Sequence, residues 1–115
     1  MLKIKASQRV VRETTAPFEY SDNGETKSVD IRVRYYSPTI KDLHDHRREV
    51  QTRQEEQPDN PMMLSDVLAR RLESLPDLSD DKGKPIKITV AALEEISIRN
   101  LTAIQRAINE DLEGK

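Results

Sequence analysis

The chain has 115 residues, 35% of them hydrophobic and 35% charged, which predicts one domain with a lean apolar core. Nineteen basic and twenty-one acidic residues leave a net charge of -2, so nothing attracts the whole chain to nucleic acid or to an anionic membrane. The absence of cysteine excludes disulfides and thiol chemistry. No apolar run approaches the roughly 20 residues that span a bilayer, and the start lacks the apolar centre of a signal peptide. We therefore expect a soluble protein of the cytoplasm.

Two runs of alternating apolar and polar residues predict an N-terminal β-hairpin. The apolar positions are Ala16, Phe18 and Tyr20 in the first run, and Val29, Ile31, Val33 and Tyr35 in the second. Between the runs, Asn23 and Gly24 suit the positive φ angles of a tight hairpin turn. We predict antiparallel strands at 16–20 and 29–36, with Phe18, Tyr20, Val33 and Tyr35 largely buried. Pro17 cannot donate to a ladder, so the first strand should be an edge.

The segment after the hairpin predicts a long polar helix. Thr39 and Asp42 have the spacing of a capping box, and Pro38 is typical of a helix start. The apolar positions of this helix are only Ile40, Leu43 and Val50. Such a helix should bury a narrow stripe at its start and then run through solvent until "QPDNP".

Three further helical segments are predicted. The apolar positions of the first are Leu64, Val67, Leu68, Leu72 and Leu75. A polar loop near 76–85 should then be mobile. Thr89 is a candidate N-cap for a short helix that contains Val90, Leu93 and Ile96. Ser97 is a candidate N-cap for the last helix.

The order of the elements, strands first and helices afterwards, predicts an α+β fold. Residues 1–115 should form a single domain, β-rich over 1–37 and helical over 38–115. An N-terminal antiparallel hairpin would pack with three to four C-terminal helices. Because an isolated hairpin is marginally stable, it needs these helices or a third strand from "LKIKASQRVV".

Residues suited to catalysis or metal binding do not form a recognisable pattern. His44 and His46 are two positions apart, so on a helix they point to different sides and make a poor metal site. No group of residues combines a nucleophile, a base and an electrostatic stabiliser. We therefore expect a protein that is not an enzyme and that has no metal or cofactor.

Two surfaces are candidates for binding a partner. Arg32 and Arg34 project from the polar face of the hairpin and could contact a phosphate backbone, although Asp30 interrupts this row and alternating charges also solvate an exposed sheet. The last helix carries an apolar stripe that consists of Leu101, Ile104, Ile108 and Leu112. This stripe could pack on the hairpin, but the hairpin offers one short apolar face for two stripes. We therefore predict that these four residues contribute to a partner-binding face, or to self-association into a homo-oligomer.

The layout resembles the small tail assembly chaperones of long-tailed bacteriophages over about two-thirds of the chain. The hairpin "FEYSDNGETKSVDIRVRYYSP" and the terminal "KITVAALEEISIRNLTAIQRAINEDL" carry the resemblance. Within the second stretch, Val90 and Leu93 match a family turn, and Leu101, Ile104 and Ile108 match its terminal helix. The resemblance implies a phage or prophage chaperone, acting in the host cytoplasm, that binds and solubilises the tape-measure protein. Tail-tube subunits would be a second partner. The alternative function is a small nucleic-acid-binding or regulatory module that uses the basic face of the hairpin.

Overall fold

A computed structural model describes residues 3–114 and has the predicted α+β order. Of the predicted domain, residues 1, 2 and 115 lie outside this range. In chain order the elements are β1 (Val11–Asp22), β2 (Glu25–Tyr36), α1 (Ile40–Glu56), α2 (Leu64–Arg71), β3 (Leu72–Ser74), α3 (Val90–Glu94) and α4 (Ile98–Leu112). Within residues 3–114, every helix is too short or too polar to cross a membrane.

The predicted hairpin is present, and its strands are longer than the alternation indicated. β1 and β2 pair antiparallel from Val11 opposite Tyr36 to Asp22 opposite Glu25. The two turn residues both have positive φ, 53° at Asn23 and 82° at Gly24. A two-residue turn of this type matches the twist of the flanking strands, which explains how this dipeptide fixes the register.

The third strand comes from a part of the chain that we predicted to be helical. β3 pairs with β2 through Arg34 opposite Ser74 and Tyr35 opposite Leu72, giving the sheet order β1-β2-β3. The prediction of one helix over 64–75 was therefore wrong, because α2 ends at Arg71 and Leu72 has extended backbone angles. Leaving the helix at this point lets the chain pair with the second edge of β2 and still bury Leu72.

β1 is an edge strand, as Pro17 predicted. Two backbone groups on the unpaired edge of β1 form hydrogen bonds with the side chain of Asn100 in α4. The backbone N–H of Glu19 donates to Asn100 Oδ1 at 2.8 Å, and Asn100 Nδ2 donates to the Glu19 carbonyl at 2.9 Å. Since backbone groups alternate in direction along a strand, residue 17 also faces this edge, where a proline breaks no ladder bond.

The core lies between one face of the sheet and the helices α2, α3 and α4. Its buried apolar members are Ala16, Ile31, Val33, Tyr35, Leu68, Leu72, Leu75, Leu93, Leu101, Ile104, Ala107 and Ile108. Val33 and Tyr35 are buried as predicted, and Phe18 is partly buried. The prediction for Tyr20 was wrong, because its exposed fraction is 44%. α4 begins at Ile98, close to the Asn100 contact with Glu19, so the hairpin end with Tyr20 extends beyond the helix.

All three predicted helix N-caps are confirmed. The side chain of Thr39 accepts from the Asp42 N–H, and the Asp42 carboxylate accepts from the Thr39 N–H, which completes the capping box. The hydroxyls of Thr89 and Ser97 accept from backbone N–H groups three residues later. These caps satisfy donors that a helix start would otherwise leave unpaired.

The polar loop near 76–85 folds back on itself. The Asp80 carboxylate accepts from the backbone N–H groups of Lys82 and Lys84 at 2.9 and 3.0 Å. At the base of the loop, the Ile86 N–H donates to the Leu78 carbonyl. That the loop is mobile stays a prediction.

Candidate functional site

α1 stands apart from the core. It has no buried residue, and its apolar side chains Ile40 and Leu43 are 76% and 47% exposed. The predicted buried stripe at its start was therefore wrong. The Cα radius of gyration is 16.0 Å, whereas a compact chain of this length has about 13 Å. Three apolar positions in a 17-residue helix are too few to attach it to the core by hydrophobic contact.

The first turn of α1 is attached to the N-terminal segment by an ion pair. A terminal nitrogen of Arg9 lies 3.0 Å from the Asp42 carboxylate, and the Arg9 guanidinium lies 4.5 Å from the centre of the Tyr36 ring. The pKa of Asp42 is lowered, first by the hydrogen bond from the Thr39 backbone and then by Arg9. Asp42 therefore both caps the helix and positions its N-terminal end.

Farther along, α1 is attached to α2 by a network of charges. Arg53 pairs with Glu49 at 3.0 Å on its own helix and with Asp66 at 3.1 Å on α2. Glu49 also pairs with Arg70 of α2. The side chains of Arg53, Glu49 and Asp66 are each less than a quarter exposed, so solvent screens these pairs less than most surface ion pairs.

Between α1 and the rest of the molecule lies a cleft of about 850 Å³. Its apolar lining consists of Tyr36, Pro38, Leu43 and Val67. Leu43 belongs to α1 and Val67 to α2, so the cleft separates two helices that are joined by the ion pairs of Arg53 and Arg70. A space of this size is within the range of ligand-binding clefts, and its lining combines apolar and charged groups.

The charges that line the cleft are almost all paired. Each of its three carboxylates has an arginine partner: Asp42 with Arg9, Asp45 with Arg48, and Glu49 with Arg70. The fourth arginine of the lining, Arg71, has none. Its guanidinium donates to Asn109 Oδ1 at 3.2 Å, and no carboxylate within residues 3–114 lies at ion-pair distance from it.

Arg71 is partly buried, and burial lowers its pKa, although a guanidinium stays charged at neutral pH. Gln105 of α4 lines the same cleft, and its Oε1 is buried without a hydrogen-bond partner in the part of the chain that the structure describes. Among the residues that the structure describes, the lining therefore includes a cation without a counter-charge and a buried amide oxygen without a donor. Buried polar groups of both kinds are normally satisfied.

The basic face of the hairpin is largely neutralised. Arg32 binds Asp77 through its backbone N–H at 2.7 Å and through its guanidinium at 2.8 Å, and Arg34 pairs with Glu73 at 3.1 Å. The side-chain and backbone hydrogen bonds of Arg32 lower the pKa of Asp77. These pairs leave little unbalanced positive charge to attract a phosphate backbone.

The four residues predicted to bind a partner do not share one environment. Leu101, Ile104 and Ile108 are 4%, 0% and 0% exposed and form part of the core, whereas Leu112 is 37% exposed. A partner could reach the first three only if α4 moved away from the sheet. That these residues bind a partner stays a prediction, and the cleft does not include them.

The two histidines lie on α1, and only His46 lines the cleft. Within residues 3–114, no three side chains of histidine, aspartate or glutamate are grouped so that they could bind a metal ion.

No protein-family model, no curated protein and no solved structure matches this chain. The resemblance to tail assembly chaperones therefore stays a prediction.

Sequence reasoning did not single out Arg71 or Gln105. The available signal was the Arg70–Arg71 pair at the end of an amphipathic helix, where a single carboxylate of the neighbouring helix could neutralise only one of the two. Nothing in the sequence indicates that α1 approaches this position.

Proposed function

We propose that this protein is a non-catalytic tail assembly chaperone that binds a helical segment of a tape-measure protein in the cleft beneath α1. The observation that carries the proposal is the cleft itself. It is lined by apolar side chains that the fold leaves uncovered, and one of its walls is a helix without a buried residue. An uncovered apolar surface bordered by charge is typical of an interaction site.

The size of the cleft fits a helix. A helix about 10 Å across that rises 1.5 Å per residue occupies roughly 120 Å³ per residue, so the volume of the cleft equals that of about seven residues, or two turns. Two turns present an apolar stripe of two or three side chains to Leu43 and Val67. A tape-measure protein, which is a long helix in the phage tails of the resembling family, offers many such segments.

The charged character of α1 suits this function. The outer surface of a helix with so few apolar residues keeps a complex soluble. The ion pairs that attach α1 to the N-terminal segment and to α2 can rearrange without exposing the apolar core. Binding a client in this way needs only modest movement of α1. A hydrophobic attachment of the same helix would instead close the cleft.

Co-expression tests the proposal. Where a gene for a long helical protein adjoins its own, that protein would be co-produced with it as the candidate tape-measure client, and the soluble fraction of this client would be measured. Leu43→Arg places a charge in the apolar lining, and we expect it to reduce client solubility severalfold. Ile40→Arg is the matched control, because Ile40 lies one turn away on the same helix, is 76% exposed and does not line the cleft.

Both variants would be checked for an unchanged circular dichroism spectrum and melting temperature. Equal client solubility with Leu43→Arg and with Ile40→Arg would show that the client does not bind in the cleft. Insolubility of the client even with the unaltered protein would overturn the chaperone function altogether.

A further inference from the structure

We propose that the cleft selects an acidic client: Arg71 binds the carboxylate of a glutamate or aspartate that lies beside the apolar stripe of the bound helix. This inference rests on the proposed function and adds the chemistry of the partner. Arg71 supplies the charge, and Leu43 and Val67 supply the apolar contact.

The pairing of charges identifies Arg71. Every carboxylate in the lining of the cleft already has a guanidinium partner, on the N-terminal segment, on α1 or on α2. Among residues 3–114, Arg71 is the arginine of the lining that has no carboxylate partner. One carboxylate from outside would therefore complete the pairing of the cleft without displacing an existing ion pair.

The state of the Arg71 side chain supports a ligand with a negative charge. A guanidinium has five N–H donors, and the bond to Asn109 uses one of them. Partial burial without a counter-ion is unfavourable for the charged form, which also lowers the pKa of Arg71. A carboxylate can accept two parallel hydrogen bonds from a guanidinium, so it would use donors that have no partner among residues 3–114.

The surroundings favour a protein carboxylate over a phosphate. The cleft offers a single uncompensated charge, whereas a phosphate carries up to two and usually binds several cations. The adjoining side chains Tyr36, Leu43 and Val67 are apolar.

Two synthetic peptides test the inference on the full-length protein. Both are 14-residue amphipathic helices with leucines at helical spacing, a blocked N-terminus and an amidated C-terminus. They differ at one position beside the leucine stripe, which is glutamate in one peptide and glutamine in the other. Fluorescence anisotropy measures their dissociation constants with the unaltered protein, with Arg71→Gln and with Arg106→Gln. Arg106 is the control, because it lies on the exposed side of α4 and outside the cleft.

We expect the unaltered protein and Arg106→Gln to bind the glutamate peptide about tenfold more tightly than the glutamine peptide. Arg71→Gln should bind the two peptides equally. Equal affinities with the unaltered protein, or a preference that survives in Arg71→Gln, would overturn the role of Arg71 and leave the proposed function standing. Failure of the unaltered protein to bind either peptide would overturn the proposed function together with this inference.

A second measurement does not depend on a variant that folds. In the ¹⁵N-labelled, unaltered protein, the side-chain Nε–H signal of Arg71 should shift when the glutamate peptide is added and should shift much less with the glutamine peptide. Identical shifts with both peptides would also overturn the inference. Inorganic phosphate is a further probe, and a larger shift with phosphate than with the glutamate peptide would contradict the choice of a carboxylate.

Discussion

α1 and α4 are helices of similar length that have different relations to the rest of the molecule. α4 has 15 residues and buries five of them, whereas α1 has 17 and buries none. Both begin with a well-formed side-chain cap. The comparison shows that caps and local propensity are enough to form a helix here, and that only an apolar stripe fixes it against the sheet.

The two kinds of attachment differ in strength. Burying a large apolar side chain contributes about 1.5–3 kcal/mol, whereas a surface ion pair contributes roughly 0–1 kcal/mol. α4 adds the Asn100 contact with the edge of β1, and the hydroxyl of Tyr35 donates to Asp111 near its C-terminal end. We therefore expect α1 to open at a much lower free energy than α4, as binding segments commonly do.

The largest effect should come from the core beneath α4. Tyr35→Ala removes a fully buried ring from β2, and we expect it to lower the free energy of unfolding by about 2–4 kcal/mol. Leu43→Ala in α1 should change it by less than about 0.5 kcal/mol, since that side chain is half exposed. Urea denaturation measures both. Similar losses for the two variants would show that α1 belongs to the core, and the contrast between the helices would fail.

A smaller loss is expected where α4 meets the strand edge. Asn100→Ala leaves the N–H and carbonyl of Glu19 without their partner, which should cost about 1–3 kcal/mol. Thr102→Ala, on the exposed side of the same helix, is the control and should be nearly neutral. Urea denaturation of both variants gives the difference. Equal stability of the two variants would show that the amide contact adds nothing to the attachment of α4.

Hydrogen exchange should detect the weaker attachment of α1. Arg53→Gln removes the pairs with Glu49 and Asp66, and we expect amide exchange in α1 to become about fivefold faster, equivalent to about 1 kcal/mol. Exchange in α4 should not change. Arg48→Gln, which removes only a 4.0 Å pair of a well-exposed side chain, is the control. Faster exchange in both helices would mean that they open as one unit.

The smallest effect concerns acid. A hydrogen bond from Arg32 lowers the pKa of Asp77, and a hydrogen bond from the hydroxyl of Tyr35 lowers the pKa of Asp111. A carboxyl group with a lowered pKa in the folded state stabilises the fold above its ordinary pKa of about 4, and this stabilisation is lost as the pH falls through the folded value. The melting temperature should therefore decrease as the pH is lowered from about 4. This decrease should be less steep in Asp77→Asn. The same slope in Asp77→Asn and in the unaltered protein would contradict a role for the Arg32 pair.

The sequence by itself determined the features that depend on a few neighbouring residues. Asn23 and Gly24 set the hairpin turn because a two-residue turn needs positive φ at both positions. Thr39, Thr89 and Ser97 marked the helix starts because a cap bonds to an N–H only three residues away. The alternation likewise indicated that Val33 and Tyr35 face the core, because successive side chains in a strand point to opposite faces of the sheet.

The tertiary structure alone decided which surfaces those elements share. Leu72 fits a helical period as well as a strand, and only the free edge of β2 made it a strand residue. Leu43 is exposed and Ile104 is buried because α4, and not α1, lies on the sheet. Within residues 3–114, no carboxylate lies at ion-pair distance from Arg71, while Glu49, distant in sequence, pairs with the neighbouring Arg70. Such contacts join residues tens of positions apart, so their outcome depends on competition among packing arrangements that no local pattern records.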